Sequence, residues 1–228
     1  MIAFRLVAAI GAMLLTAPFA IMDLDGVNLG PGIPPHWRVR AVRGELAPDT
    51  DLAIDGGVRR FRLQGAGRAA WFYRDLDTEL PESAGTLRWS WRVLQAPEHA
   101  DLRVDARDDS PIRVFVVFGR PRFFRNRARI IFYSFGNTEP AGFQRPGAAS
   151  DRLEVLRVDG AGERSGWREH ATDPFADYRR IWNEAPPSIT SIGVMQDTDQ
   201  TREQAVAELR RLDWVPARDA SSATTPAR

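Results

Sequence analysis

Residues 87–93 read Leu-Arg-Trp-Ser-Trp-Arg-Val, so large apolar side chains alternate with polar ones. Successive side chains of a β-strand point to opposite faces, and this alternation therefore predicts a strand buried on one face. Trp89 and Trp91 share the predicted buried face, because large aromatic side chains in β-sandwiches usually fill the core. Two exposed indoles would instead form a platform on which a sugar ring stacks. With both indoles buried, Arg88 and Arg92 lie on the face presented to solvent or a ligand.

Similar alternating segments recur on both sides of this strand, separated by turn residues such as Asp55-Gly56-Gly57. Residues 175–182 have aromatic side chains at helical intervals, whereas 201–211 form either a short helix or a loop that enters a strand. Because strands dominate and long helices do not interleave with them, the sequence predicts an all-β, antiparallel β-sandwich with one or two short helices. The predicted strands are residues 37–42, 58–63, 69–73, 86–94, 112–118, 128–135, 152–158, 189–195 and 209–215.

The two ends of the chain differ in composition from the middle. Arg5 precedes an apolar run from Leu6 to Met22, which is typical of a secretory signal or of a short membrane anchor. Whether this segment is cleaved stays open. We therefore expect a periplasmic or secreted protein, or one held at the inner membrane by this segment alone. The predicted organisation is a signal peptide or anchor over 1–22, a linker over 23–35, a β-sandwich domain over 36–216 and a disordered tail over 217–228.

The composition excludes several functional classes. The 31 basic and 30 acidic residues nearly cancel, so nucleic acid is not an expected partner. The absence of cysteine excludes disulfides, Cys-ligated zinc and thiol catalysis. The three histidines match no zinc spacing, and neither a nucleophile elbow nor a phosphate-binding loop occurs. The sequence makes no prediction of oligomeric state.

An acidic pair stands directly before the predicted strand 112–118. Asp108 and Asp109 precede it, and Arg113 lies within it. Such a carboxylate pair is suited to coordinating calcium, to pairing with arginine or to acid–base chemistry. Pairing with Arg113 or with the neighbouring Arg107 is the purely structural alternative.

A second acidic segment, Asp197-Thr198-Asp199, follows the predicted strand 189–195. Alternation places Asp197 and Asp199 on one side and Thr198 on the other. Two carboxylates together with loop carbonyls would then form a Ca²⁺ site. Asx turns and hydrogen bonds to backbone amides explain the same residues equally well. Apart from this calcium, no cofactor is expected.

Four segments keep a characteristic order and spacing: residues 87–93, residues 108–118 (Asp-Asp-Ser-Pro-Ile-Arg-Val-Phe-Val-Val-Phe), residues 177–180 followed by Pro186-Pro187, and residues 192–201 (Ile-Gly-Val-Met-Gln-Asp-Thr-Asp-Gln-Thr). Together they resemble a bacterial family of exported domains of unknown function, over roughly Trp37 to Trp214. That family looks like a jelly-roll sandwich of the kind found in carbohydrate-binding modules. The resemblance implies this fold and export, but no reaction. The Gly of the family's closing strand is missing from residues 207–214, so that strand receives no role.

Three functional hypotheses follow. The leading one is a non-catalytic exported domain that binds a saccharide or envelope polymer. The second is a carbohydrate-active hydrolase or lyase using Asp108, Asp109 and Asp197 with Arg113, which requires a shared cleft and a raised carboxyl pKa. The third is a structural or partner-binding envelope protein. The candidate ligand-binding residues are Arg88, Arg92, Asp108, Asp109, Arg113, Asp197, Thr198 and Asp199, and the candidate metal ligands are Asp197 and Asp199.

Overall fold

The computed structural model describes residues 18–42, 44–76, 80, 84–122, 125–126, 128–160 and 166–217. These residues form two seven-stranded sheets, a two-stranded hairpin and one α-helix. Sheet I contains β1 (Phe19–Met22), β2 (Gly30–Pro31), β4 (Asp49–Asp55), β5 (Val58–Ala66), β7 (Gly85–Gln95), β14 (Arg168–Thr172) and β16 (Gln204–Pro216). Sheet II contains β3 (Arg38–Ala41), β6 (Ala69–Asp75), β8 (Ser110–Phe118), β11 (Arg129–Gly136), β12 (Gln144–Gly147), β13 (Ser150–Gly160) and β15 (Ile189–Asp197). The hairpin pairs β9 (Pro121–Arg122) with β10 (Arg125–Asn126), and the helix is α1 (Pro174–Trp182).

The strand order confirms the predicted β-sandwich. Sheet I runs β14-β7-β16-β5-β4-β2, with β1 beside the second half of β16, and sheet II runs β12-β13-β11-β8-β15-β6-β3. Neighbouring strands of both sheets are antiparallel, except that β11 and β13 are parallel. Most neighbours in space are far apart in sequence, as in a jelly roll.

The core lies between the inner faces of the two sheets. Trp89 and Trp91 of β7 are 1% and 0% exposed, which confirms the burial that the alternation predicts. Burying each of these indoles contributes about 2–3 kcal/mol through the hydrophobic effect alone. The indole N–H of Trp91 also donates to Oδ2 of Asp159 at 2.9 Å, so this polar atom is not left unsatisfied inside the protein.

The helix α1 confirms the prediction for residues 175–182. The carboxylate of Asp173 caps its first turn by accepting from the backbone N–H of Phe175 at 2.9 Å and of Ala176 at 3.1 Å. Phe175 is fully buried and meets the ring of Trp214 edge-on at 5.9 Å. The helix therefore covers one end of the interior.

Residues 204–216 form a strand rather than a helix. The alternative that residues 201–211 are a short helix is thereby wrong. Ala205, Ala207 and Leu209 are all fully buried at a spacing of two, and β16 lies between β5 and β7. The interval of four between Ala205 and Leu209 fits the helical period as well as the strand period of two. Ala207 between them is small and only weakly apolar, so the sequence does not distinguish a helix from a strand here.

Two short segments near the start of the described chain pair with sheet I: β1 lies within the segment predicted as signal or anchor, and β2 within the predicted linker. β1 pairs with the second half of β16, whose first half is paired with β5, and Ile21 is fully buried there. The indole N–H of Trp37 donates to the backbone oxygen of Ile21 at 2.9 Å. A Gly- and Pro-rich composition does not prevent short pairings such as that of β2 with β4.

The predicted signal or anchor falls mainly on residues 1–17, and the predicted tail on residues 218–228, outside the described residues. Within the described part of the chain, no helix has the length and apolar character needed to cross a bilayer.

Candidate binding site

Sheet II has a second apolar surface, on the face that points away from sheet I. Phe115 of β8, Phe132 of β11 and Met195 of β15 are 1%, 3% and 5% exposed and form a cluster separate from the core. The half-buried Trp71 of β6 packs on this cluster, with its ring centroid 4.8 Å from that of Phe115 and 5.2 Å from that of Phe132. The outer face of sheet II thus has an aromatic floor.

Gly193 of β15 keeps the middle of this floor flat. In the strand register it lies opposite Tyr73 of β6 on one side and Phe115 of β8 on the other. A Cβ at this position would lie 2.0 Å from the backbone oxygen of Phe72 and 2.6 Å from the Cα of Tyr73. Only glycine therefore allows β6 and β15 to approach this closely.

Two cavities open over the aromatic floor and share the side chains of Arg40 and Trp71. One has a volume of about 520 Å³ and is lined by Tyr73 and Phe115, among others. The other, of about 430 Å³, is lined by Phe132, Asp108, Asp197 and Asp199, among others. We call the two together the outer groove; each volume is within the range of ligand pockets, roughly 300–1,000 Å³.

Arg113 is at the centre of the polar end of the outer groove, and it is 4% exposed. Its Nη2 donates to the backbone oxygen of Asp108 at 2.6 Å and to Oδ1 of Asp108 at 2.8 Å. Its Nη1 lies 3.7 Å from Oδ2 of Asp197, and Nη2 of Arg145 lies 3.0 Å from Oδ2 of Asp108. Asp108 therefore pairs with Arg113, which is one of the two arginines that the structural alternative named.

Asp109 holds the turn that follows β15. Its Oδ1 accepts from the backbone N–H of Gln200 at 3.2 Å, and its Oδ2 accepts from the backbone N–H and the hydroxyl of Thr201 at 2.7 and 2.5 Å. Burial raises the pKa of Asp109, and the hydrogen bonds from Thr201 and Gln200 oppose that rise. The carboxylate thus links the loop before β8 to the turn after β15.

Asp109, Asp197 and Asp199 converge. One carboxylate oxygen from each lies within 4.8 Å of the other two. Oδ1 of Asp197 and Oδ1 of Asp199 are buried and accept no hydrogen bond from the described residues. Burial raises the pKa of Asp197 well above its usual range; Arg113 opposes this, whereas the charges of Asp199 and Asp109 add to it. Three carboxylates this close can hold a proton or a cation between them.

Residues 35–213 match the model of a family described as a protein of unknown function, DUF3047. The chain belongs to the DUF3047 family. This confirms the resemblance carried by the four sequence segments. Among curated proteins, none matches the chain.

Several solved structures align with most of this DUF3047 chain at low sequence identity. The family 11 carbohydrate-binding module of a cellulosomal cellulase from Clostridium thermocellum is 11% identical, with 88% of this chain and 95% of that chain covered and a TM-score of 0.47. The family 11 xylanase from Neocallimastix patriciarum is 12% identical, with coverages of 88% and 100% and a TM-score of 0.41. The xyloglucanase domain of a type three effector from Sinorhizobium fredii is 10% identical, with coverages of 83% and 98% and a TM-score of 0.44. None of them assigns a function to this chain.

Arg88 and Arg92 are on the outer face of sheet I, so they do not join the outer groove of the DUF3047 domain. Arg92 forms ion pairs with Asp55 and with the fully buried Glu208. Ser90, between the two arginines, is also fully buried. Long side chains from neighbouring strands therefore cover much of the face predicted to meet solvent or a ligand, although Arg88 on it is exposed.

Thr198 points away from the outer groove, as the alternation predicts for it, and does not line the cavities. Its hydroxyl donates to the backbone oxygen of Arg68 and accepts from the backbone N–H of Arg68, each at 2.9 Å. The side chain is completely buried. In the DUF3047 structure Thr198 thus positions the turn after β15.

The aromatic floor of the outer groove does not follow from the alternation of side chains. A signal was present: residues 112–118 read Ile-Arg-Val-Phe-Val-Val-Phe, an apolar run that continues on both faces of the strand. Such a run indicates that both faces are covered or used. Trp71-Phe72-Tyr73 has the same character in β6. These segments point to a second apolar face on the DUF3047 sheet, next to the acidic cluster.

Proposed function

We propose that this domain binds a saccharide chain, without catalysis, in the outer groove. The observation that carries the proposal is the half-buried Trp71 on the floor of a groove whose wall includes Arg40, Asp197 and Asp199. A sugar ring has an apolar C–H face and a rim of hydroxyl groups. The indole of Trp71 offers a surface on which the C–H face can stack, and the charged side chains can form hydrogen bonds with the hydroxyl groups.

The balance of apolar and polar groups in the outer groove suits such a ligand. Ligand pockets are mostly apolar, with a few polar groups that fix orientation. Here Phe115 and Phe132 supply the apolar floor, and the acidic residues lie towards one end. Both signs of charge occur along the groove, with Arg40 and Arg120 against Asp75 and Asp199, which favours a neutral, hydroxyl-rich polymer over a polyanion.

We also propose that binding takes place outside the cytoplasm. The support for this setting is the sequence of the N-terminal segment, in which Arg5 precedes the apolar run from Leu6. A polymer of the cell envelope or of the surroundings is then the natural ligand. Fractionation of cells that express the full chain, with immunodetection of periplasm, membrane and cytoplasm, tests this part.

The binding experiment is a glycan array followed by isothermal titration with the best neutral oligosaccharides. Trp71→Ala is expected to weaken binding at least about tenfold, which corresponds to about 1.4 kcal/mol. The matched control is Trp167→Ala, because Trp167 directly precedes β14 of the opposite sheet and its ring contacts Arg92 and Arg210. Binding that survives Trp71→Ala, or a complete absence of binding to glycans, would rule out the proposal and favour a structural role.

A glycan-cleaving activity is the second candidate. It is favoured by the convergence of Asp109, Asp197 and Asp199 and by the raised pKa of Asp197. Against it, Asp108 forms ion pairs with two arginines, and Asp109 accepts hydrogen bonds from the turn after β15. Of the three aspartates that the hydrolase hypothesis names, only Asp197 has a buried carboxylate oxygen without a hydrogen bond from the described residues. Release of reducing ends from a bound glycan, lost in Asp197→Asn, would establish cleavage in place of simple binding.

A further inference from the structure

We propose that Asp109, Asp197 and Asp199 bind a calcium ion at the acidic end of the outer groove. The site does not depend on saccharide binding. Its basis is geometric: one oxygen from each carboxylate lies within 4.8 Å of the other two, a separation that a single ion bridges. Asp109 comes from the loop before β8, Asp197 is the last residue of β15, and Asp199 lies in the turn that follows it.

An unsatisfied buried oxygen points to the ligand. Asp197 is 7% exposed, and its two oxygens have different surroundings. Oδ2 faces Nη1 of Arg113 at 3.7 Å, whereas Oδ1 accepts no hydrogen bond from any described residue. Oδ1 of Asp199 is likewise buried and accepts no hydrogen bond from any described residue. Buried carboxylate oxygens without donors are destabilising, and a cation placed between them satisfies both.

The local charge also favours a cation. Arg113 is buried beside the cluster, but its Nη2 is bound to Asp108. It approaches Asp197 only through Nη1, at 3.7 Å, and so does not neutralise the three carboxylates. The carboxylates therefore repel one another, and the charges of Asp199 and Asp109 oppose ionisation of Asp197. A divalent ion converts this repulsion into attraction.

The ligand atoms select the type of ion. Every candidate donor is an oxygen, which favours hard cations over zinc or copper. Magnesium requires near-ideal octahedral geometry, whereas calcium accepts six to eight oxygens in flexible arrangements. A loop, a strand end and a turn supply carboxylates of different accessibility, which suits calcium. Asp197, Asp199 and Gln200 also line the cavity of about 430 Å³, so water can complete the coordination.

A proton shared by Asp197 and Asp199 is the competing explanation, because it satisfies the same two Oδ1 atoms. It predicts no response to calcium at neutral pH. The experiment therefore uses the metal alone. The full chain is stripped with a chelator, dialysed and titrated with CaCl₂ by calorimetry, and terbium luminescence sensitised by Trp71 and displaced by calcium serves as an independent measurement of the same site.

Calcium at 100 times its Kd is expected to raise the melting temperature by about 5–10 °C. Asp199→Asn, which changes a partly exposed ligand, is expected to weaken calcium binding at least about tenfold. In chelator this variant is expected to be at least as stable as the parent, because it removes one of three repelling charges. That result excludes misfolding as the cause. Asp25→Asn, at an exposed position far from the groove in sequence, is the control and is expected to bind calcium normally.

Two results would overturn the inference. One is a wild-type chain that shows neither heat nor a melting shift at millimolar calcium, as the shared proton predicts. The other is calcium binding of undiminished affinity in both Asp197→Asn and Asp199→Asn, which would place the ion elsewhere. Since no glycan is present, failure here leaves saccharide binding standing, and an empty glycan array leaves a positive calcium titration standing.

Discussion

Arg113 donates from Nη2 to Oδ1 of Asp108 at 2.8 Å, and both residues are more than nine-tenths buried. The pair joins β8 to the loop that precedes it. It also fixes the orientation of the guanidinium, so that Nη1 lies 3.7 Å from Asp197. This buried ion pair thus positions the side chains at the acidic end of the outer groove.

Arg113→Met is expected to destabilise the fold strongly. It leaves Asp197 buried without its cation and Asp108 with Arg145 alone, and removing one partner of a buried pair costs about 3–5 kcal/mol. Urea unfolding followed by circular dichroism at neutral pH measures the loss. The control is Arg38→Met, because Arg38 pairs with Asp75 at the surface with 69% of its side chain exposed, and its change stays below about 1 kcal/mol. Equal effects of the two substitutions would contradict this account.

Trp89→Ala and Trp71→Ala are expected to separate the core from the groove. Trp89 is 1% exposed between the sheets, and its truncation costs about 3–5 kcal/mol through lost burial and a cavity. Trp71 keeps one face open to the groove, so its truncation is expected to cost less than half as much. Differential scanning calorimetry of the two variants provides the comparison. A larger loss for Trp71→Ala would make this residue a core element and remove the basis of the binding proposal.

Gly193→Ala is expected to force β6 and β15 apart. The new methyl group would lie 2.0 Å from the backbone oxygen of Phe72, which is far inside van der Waals contact. Overpacking of this kind costs about 1–3 kcal/mol, and the upper end is expected here because the obstacle is backbone. Ser191→Ala, two residues earlier in the same strand, removes one hydrogen bond to Asp75 and serves as the control. Chemical denaturation of both variants gives the difference; a neutral Gly193→Ala would show that the strands separate without cost.

Asp101 is expected to make stability depend on pH in acid. Hydrogen bonds from Arg103, through Nε to Oδ1 and Nη2 to Oδ2, each 2.8 Å, lower the pKa of Asp101 to about 2. Because the folded pKa is below the unfolded value of about 3.9, this stabilisation is present above pH 4 and is lost as the pH falls towards 2. Urea unfolding of the parent and of Asp101→Asn at several pH values should show a difference that shrinks over this interval. Arg103→Met should reduce the difference without removing it, because the backbone N–H of residue 103 and the side chain of Arg107 still stabilise the Asp101 carboxylate. A loss of stability near neutral pH would contradict the assignment.

Much of the fold could be predicted from the alternation of side chains. Strand β7 and the buried pair Trp89 and Trp91 follow directly from it, because one face of that strand is apolar and the other is polar. The short strands β1 and β2 could not be predicted, since their pairing depends on an open edge of β16 and of β4 that only the assembled sheet provides. The parallel pairing of β11 with β13 likewise depends on the topology rather than on either strand's own residues.

The acidic cluster was more predictable than the aromatic floor. Asp197 and Asp199 are two residues apart after a strand, so their common direction follows from the pleat. The approach of Asp109 to them depends on the pairing of β8 with β15, which the sequence does not specify. Phe115 and Trp71 lie in segments that are apolar on both faces, and such segments do not reveal which side chains point inward.

The pairing of β1 with β16 connects residues near the two limits of the described chain, with Phe19 opposite Trp214. A growing polypeptide therefore cannot complete sheet I until its last strand has been synthesised, because β16 is also the only partner that joins β7 to β5 within the described sheet. Before that moment both halves of the sheet have open edges, which chaperones or neighbouring chains can capture. Such a high contact order makes folding slow and cooperative, and a chain truncated before residue 204 is expected to aggregate rather than to fold in part.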